Sequence, residues 1–370
     1  MDGHDIDDRQ SRTDLFDVPP EESPSPTSRS ERWYRTLDVW VLSPLRVAMT
    51  DWRMPVGATI LTAFVVLGTV GVRLISAPEV SEAPVYTGAF RGGIGAITTS
   101  GGWIDIVSLS LGETGFTLPW VALSLPLGTD RFGQDIARGL VHGTPAMLKM
   151  ALAGAVFATG VALLVGTVAG YRGGVIDTVL MTITDIVMTI PALPLIVLLA
   201  AVYQPSDPFV IGVLLAIDNW PGLARALRSQ VLTIRTESYV EAARAMGLSP
   251  GTVLRRDVIP QLMPYTLINA ANAARAVIFE SVALYFLGLL PIGSTFNWGV
   301  MMNQAYQAGA LSNVDRAGHW LFAPMCLLVV FSFGLIVFSQ GLDRVFNPQL
   351  RARHSKAVGY DDETGVSTGD

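Results

Sequence analysis

Four charged side chains stand inside long apolar runs of this sequence: Asp185, Asp218, Arg275 and Glu280. A charge placed in hydrocarbon is costly unless it pairs or faces water, so such residues are functional candidates by default. Asp185 and Glu280 are the two candidates for lining a solute or proton pathway. The competing roles are interhelical hydrogen bonding, snorkelling near a span end and contact with a second subunit. Glu280 follows Arg275 by five residues, which puts the two on different faces of a helix. His4, His142, His319 and His354 lack metal-ligand spacing, and no Ser/His/Asp or Cys/His set stands out, so no metal site and no catalytic residue is assigned. A phosphate-cradling loop needs Gly, four residues, Gly, Lys and then Ser or Thr. Lys149 follows Leu148 and Lys356 follows Ser355, so neither lysine fits. The one cysteine, Cys326, excludes an intrachain disulfide.

The second concentration of chemistry is YVEAARAMGLSPGTVLRRDVIPQLMP, residues 239–264. Strong helix formers lead to Gly247, which suits a left-handed C-terminal cap. Ser249 and Pro250 then read as the N-cap and first position of a second helix, expected to run to about Val258 and to end before Pro260 and Pro264. Tyr239, Ala242, Ala243 and Met246 recur at spacings of three and four and make one small apolar face, with Glu241, Arg244, Arg255 and Arg256 around it. Such a knob suits a groove on another protein. It equally suits packing on the end of its own bundle.

These residues must be positioned by membrane helices. Half of the 370 residues are hydrophobic and 15% are charged, against about 25% charged in soluble domains. Six candidate spans meet the length of roughly 20 apolar residues. They lie near 55–75, 147–170, 180–203, 208–227, 265–290 and 320–339; the fourth is the weakest, being interrupted by Asp218, Trp220, Pro221 and Gly222. Pro191 and Pro194 in the third span and Pro221 in the fourth each remove a helix hydrogen bond, which serves either a cavity or a simple kink. The expected class is all-α, a polytopic membrane protein of six transmembrane helices.

Basic residues set the orientation. Arg228, Arg235, Arg244, Arg255 and Arg256 crowd the segment before the fifth span, and most other basic residues fall before the first or after the last. The opposite side holds Arg91, Arg131, Arg138 and Arg316. Both termini and the 228–264 segment are therefore expected in the cytoplasm. The first apolar run starts too late for a cleavable signal. The expected organisation is a disordered acidic cytoplasmic tail over 1–35, an N-terminal region with the first span and an outer segment over 36–127, a five-helix transmembrane domain over 128–350, and a cytoplasmic tail over 351–370. The outer stretch GAFRGGIGAITTSGGWIDI, residues 88–106, reads as short strands or an irregular cap.

EAARAMG followed by RRDVIPQLMP resembles the EAA loop of importer-type ABC transporter permeases, through Glu241, Ala242, Ala243, Gly247, Val258 and Pro260. GTDRFGQDIARGLVHGT at 128–144, DIVMTIPALPL at Asp185, ESVALYFLGL at Glu280 and GLDRVFNPQLR at Gly341 are similar to the oligopeptide, dipeptide and nickel permease family, and an additional first span fits its C-type subunit. The resemblance covers about residues 40–352. Departures from the family pattern are Gln134, Arg138-Gly139, Thr144-Pro145 and Asp257. The resemblance implies the importer-type ABC permease fold in the plasma membrane, with a homologous permease subunit, two ABC ATPase subunits and an extracytoplasmic solute-binding protein as partners, besides the lipid bilayer and with no nucleic acid. It implies that ATP is bound by the partner ATPases and that this chain carries no cofactor. It further implies that Tyr239, Glu241, Ala242, Ala243, Met246, Gly247, Arg256, Val258, Ile259 and Pro260 form the ATPase-coupling loop. In that loop Glu241 and nearby arginines would anchor the interface, Gly247 would permit the turn and the Ala242/Ala243 face would fill the groove. The solute would be a di- or oligopeptide or a related solute such as nickel. The alternative is a stand-alone secondary transporter or channel that uses the buried acids.

Overall fold

The computed structural model describes residues 51–81, 85–88, 127–291 and 296–346. The tails expected over 1–35 and 351–370, and the outer stretch 88–106 apart from Gly88, lie outside them. Among the described residues every regular element is a helix. Four helices are long and apolar enough to cross a membrane: α1 Arg53–Leu74, α2 Ile136–Arg172, and two that are labelled α8 (Pro250–Phe286) and α10 (Val314–Phe346) in chain order. Between them lie two bent pairs. The first is α3 Gly174–Thr189 with α4 Ala192–Tyr203, and the second α5 Pro208–Leu215 with α6 Trp220–Ile234. The short helices α7 Ser238–Ala245 and α9 Trp298–Gln307 complete the set. Counting each bent pair as one span gives six.

The third and fourth spans, where the prolines left a break or a simple kink open, are both broken. Ile190 and Pro191 are extended, because a proline pushes the residue before it out of the helical region, and α3 meets α4 at 86°. Pro221 behaves differently: it lies in the first turn of α6, where its missing N–H has no intrahelical partner to lose. The break before α6 spans residues 216–219, and α5 meets α6 at 61°.

Helix α2 is the hub and packs against α5, α6 and α8. Its small residues allow this. A Cβ on Gly166 would lie 2.5 Å from the Ala224 carbonyl oxygen of α6, and one on Gly154 would lie 2.5 Å from Val277 of α8. Lipid tails give little hydrophobic drive between spans, so close van der Waals contact across small residues holds them together. Helix α1 uses the same device on α10, where a Cβ on Gly57 would meet the Phe338 backbone nitrogen at 2.5 Å. An aromatic cluster joins α1, α9 and α10: Phe64 lies 5.9 Å from Trp298 and 4.9 Å from Phe331, and Trp298 Nε1 donates to the Leu140 carbonyl of α2 at 3.1 Å.

The second span starts earlier than the hydropathy suggests, at Ile136 rather than Met147. Asp135 caps it by accepting from the Ala137 N–H at 2.8 Å, and most of the first turns are buried inside the protein rather than exposed to lipid. The preceding loop closes on itself. Asp130 accepts from the Phe132 and Gln134 N–H groups at 2.7 and 2.8 Å, and Thr129 bridges to Asp135. Burial pushes the Asp130 carboxyl above its ordinary range, against the pull of those two N–H groups and of Arg131. Arg138 is buried and donates to Ser76 Oγ at 3.1 Å, so the departure at this position ties α2 to the segment after α1.

Candidate coupling surface and pathway

The 239–264 segment begins as a helix, a glycine turn and a second helix. Gly247 is left-handed, with φ 79°, and the Leu248 N–H returns to the Ala243 carbonyl at 3.2 Å. Ser249 Oγ accepts from the Thr252 N–H at 3.3 Å. The second helix does not stop near Val258. A π-type turn over Leu254–Val258 widens the backbone just before Pro260, and the helix runs on through Pro264 to Phe286 as α8. The wide turn takes up the missing N–H and the bulk of the proline ring at the foot of the span, so neither proline ends it.

Two faces of α7 separate. Val240 and Ala243 point inward with Val253, into a small cluster completed by Tyr171, Ile234 and Leu248 from the ends of α2 and α6 and from the turn. Arg244 lies over the Tyr171 ring at 4.8 Å, and Tyr239 Oη accepts from Gln261 Nε2 at 2.5 Å. Tyr239, Glu241, Ala242, Met246, Arg256 and Pro260 remain exposed, Met246 to 73%. Ala243 and Val258 are buried, and Ile259 is half-buried. The expected apolar face is thus divided. Ala242 and Met246 look outward beside Tyr239, while Ala243 packs inward with Val240 against Tyr171, Ile234 and Leu248.

Asp185 is about half exposed and pairs with Arg225 of α6. Asp177, nearer the start of α3, takes Arg228 in a two-pronged pair with both N···O distances 2.5 Å. Together the pairs pin α3 to α6. Glu280 is half-buried, and its Oε2 has no hydrogen-bond partner among the described residues; the same holds for Arg275 Nε. Neither Asp185 nor Glu280 is among the residues that line the cavity of about 250 Å³ at mid-bundle. His142 and His319 each bond a backbone carbonyl, of Ile75 at 2.9 Å and of Thr129 at 3.2 Å.

A partly open cavity of about 250 Å³ does lie at mid-bundle, and its polar residues escaped the sequence reading. Asn219 and Gly222 of the α6 entry, Tyr265, Asn269 and Asn272 of α8, and Ala158 of α2 line it. Tyr265, Asn269 and Asn272 sit at i, i+4 and i+7, a polar stripe on an otherwise apolar helix, and that was the available signal.

A multi-helix membrane protein that fixes a charged knob to the ends of its spans and keeps a polar cavity between them is built as a transport subunit. The family of binding-protein-dependent transport system inner membrane components matches residues 162–352. A dipeptide transport system permease protein of Bacillus subtilis is 31% identical over 60% of this chain and 68% of its own length. An oligopeptide transport system permease protein of the same organism is 29% identical over 60% of this chain and 72% of its own. A solved chain of the inward-facing MetNI methionine ABC transporter matches 56% of this chain and 96% of its own at 20% identity, with a TM-score of 0.45. The chain belongs to the binding-protein-dependent transport system inner membrane component family. It is a membrane permease subunit of an ABC importer, and the stand-alone transporter is not favoured.

Proposed function

We propose that this chain forms half of the translocation pathway of a peptide importer and is driven by two separate ATPase subunits that seat on the exposed face of the 239–264 segment. A homologous permease subunit supplies the other half, and an external solute-binding protein delivers the solute. ATP is held by the ATPases, and no residue of this chain is catalytic. The peptide solute is suggested by the dipeptide and oligopeptide permeases to which the chain is similar. Both termini and the knob lie in the cytoplasm, in keeping with the arginines of 228–264.

One observation carries the coupling role. The knob presents Tyr239, Ala242 and Met246, flanked by Glu241, Arg255 and Arg256, on a base fixed to α2, α6 and α8. An exposed apolar stripe with a charged rim is the form a helix-in-groove contact takes. Because the base is packed, a push on the stripe passes into the spans rather than into a loose loop. The test is co-expression with the candidate ATPase subunits and partner permease, in wild-type form and as Met246→Asp and Glu241→Ala. The wild-type complex should retain the ATPases and take up peptide, and Met246→Asp should release them. Retention by Met246→Asp with full uptake overturns the assignment of the knob.

A further inference from the structure

The mid-bundle cavity has a directional chemistry. Asn269 Nδ2 donates to the Tyr265 carbonyl one turn earlier at 2.8 Å. Asn219 Nδ2 donates to the Leu215 carbonyl at 3.3 Å and to the Asp218 carboxylate at 3.4 Å. Only a nitrogen can face a carbonyl oxygen at such distances, so both amides are fixed with their N–H side on the protein. Their Oδ1 atoms are the uncommitted groups; no hydrogen bond reaches either among the described residues. The Asn272 side chain and the Tyr265 hydroxyl are likewise without a partner among the described residues. The lining carries no lysine, arginine or carboxylate.

Such a wall suits neither lipid nor an anion. Uncommitted amides against hydrocarbon are unfavourable, and an anion would find oxygen acceptors without a cation to balance it. The surplus of acceptors suits a solute rich in N–H donors. Gly222 and Ala158 keep the space open: a Cβ on Gly222 would meet no atom within 4 Å.

We infer that this cavity is a solute subsite, in which the carbonyl oxygens of Asn219 and Asn269, with Asn272 and Tyr265, receive the N–H groups of a peptide in transit. The inference rests on the peptide-importer reading and adds the residues and the polarity of the contact. Because an external binding protein would select the solute first, these residues would govern the rate of passage more than the half-saturating concentration.

The experiment uses the full complex in vesicles, with trialanine as the transported probe. Asn269→Leu keeps the side-chain volume and removes the acceptor; it should lower the maximal uptake rate about tenfold, the loss of one hydrogen bond away from bulk water, with little change in half-saturation. Gly222→Leu fills the cavity without a backbone clash and should also block passage. Membrane-bound ATPase is measured alongside, so that misassembly is not mistaken for a blocked pathway. Wild-type uptake with unchanged rates in both variants overturns the subsite. Failure of the assembled wild type to take up trialanine overturns the peptide reading instead.

A second readout needs no solute. In a Cys326→Ser background, Asn272→Cys is labelled with a cationic and an anionic water-soluble thiol reagent, and the rate ratio is compared with that of Ala245→Cys on the exposed knob. The subsite requires labelling at 272 with a ratio shifted toward the cation. An unreactive 272, covered by a partner subunit or by lipid, or an unshifted ratio, overturns it.

Discussion

Helix α3 keeps only Thr184 fully buried, so its hold on the bundle should depend on the two ion pairs to α6. The Asp177–Arg228 pair makes two hydrogen bonds at 2.5 Å, with side chains 15% and 32% exposed. A charge-assisted hydrogen bond contributes about 1.5–3 kcal/mol, and partial solvent screening at the arginine brings the expected coupling to about 1–2 kcal/mol. The Asp185–Arg225 pair, about half exposed on both sides, falls in the surface class and should give about 0.2–1 kcal/mol. Two double-mutant cycles measure this: Asp177→Asn with Arg228→Gln, and Asp185→Asn with Arg225→Gln, each read by equilibrium unfolding in mixed micelles at low and high salt. The first cycle should return the larger coupling and the smaller salt dependence. Equal couplings, or a larger one from Asp185–Arg225, would refute the ranking by burial.

Three further outcomes follow from the packing. Gly247→Ala meets no atom, so its cost is the left-handed backbone alone, about 1–2 kcal/mol; limited proteolysis should show earlier cleavage in the 244–250 turn. Gly57→Ala forces a Cβ against the Phe338 backbone and should destabilise by about 1–3 kcal/mol, whereas Gly160→Ala, with open space around it, should be neutral or stabilising in the same thermal assay. Because burial raises the Asp130 carboxyl in the folded protein, its contribution is fully present below the ordinary carboxylate value and declines as pH rises through the folded value. Thermal midpoints measured across that window should show the decline, and Asp130→Asn, which keeps an acceptor for the two N–H groups, should lose this component of it.

Local rules made parts of this architecture legible. Gly247, Ser249 and Pro250 each act within one helical turn, and the turn they specify is the one observed. The reach of α8 past Pro260 was hidden because a π turn upstream, not a residue type, accommodates the ring. The inward face of α7 was ambiguous for another reason. Val240–Ala243 and Tyr239–Ala242–Met246 are both apolar at helical spacing, and only the position of Tyr171, nearly seventy residues earlier, decides between them. The polar cavity joins Asn219 to an α8 stripe, and nothing in the spacing of either segment shows that they meet.

The unbroken course of α8 has a mechanical consequence. Its 37 residues make a rod of about 55 Å. It meets α2 closely at Val277, where a Cβ on Gly154 would lie 2.5 Å from the valine side chain. Taken as a fulcrum, Val277 leaves an arm of about 40 Å toward the knob and one of about 14 Å toward Phe286. Distances between spin labels at the two ends, with and without nucleotide, would show whether the rod swings as one piece. If it does, α8 is a reducing lever: a stroke at the knob end reaches the far end at roughly a third of its amplitude and with a correspondingly multiplied force. The Asn269 stretch, about 12 Å from the pivot on the long arm, would then shift by nearly as much as the far end and in the opposite sense.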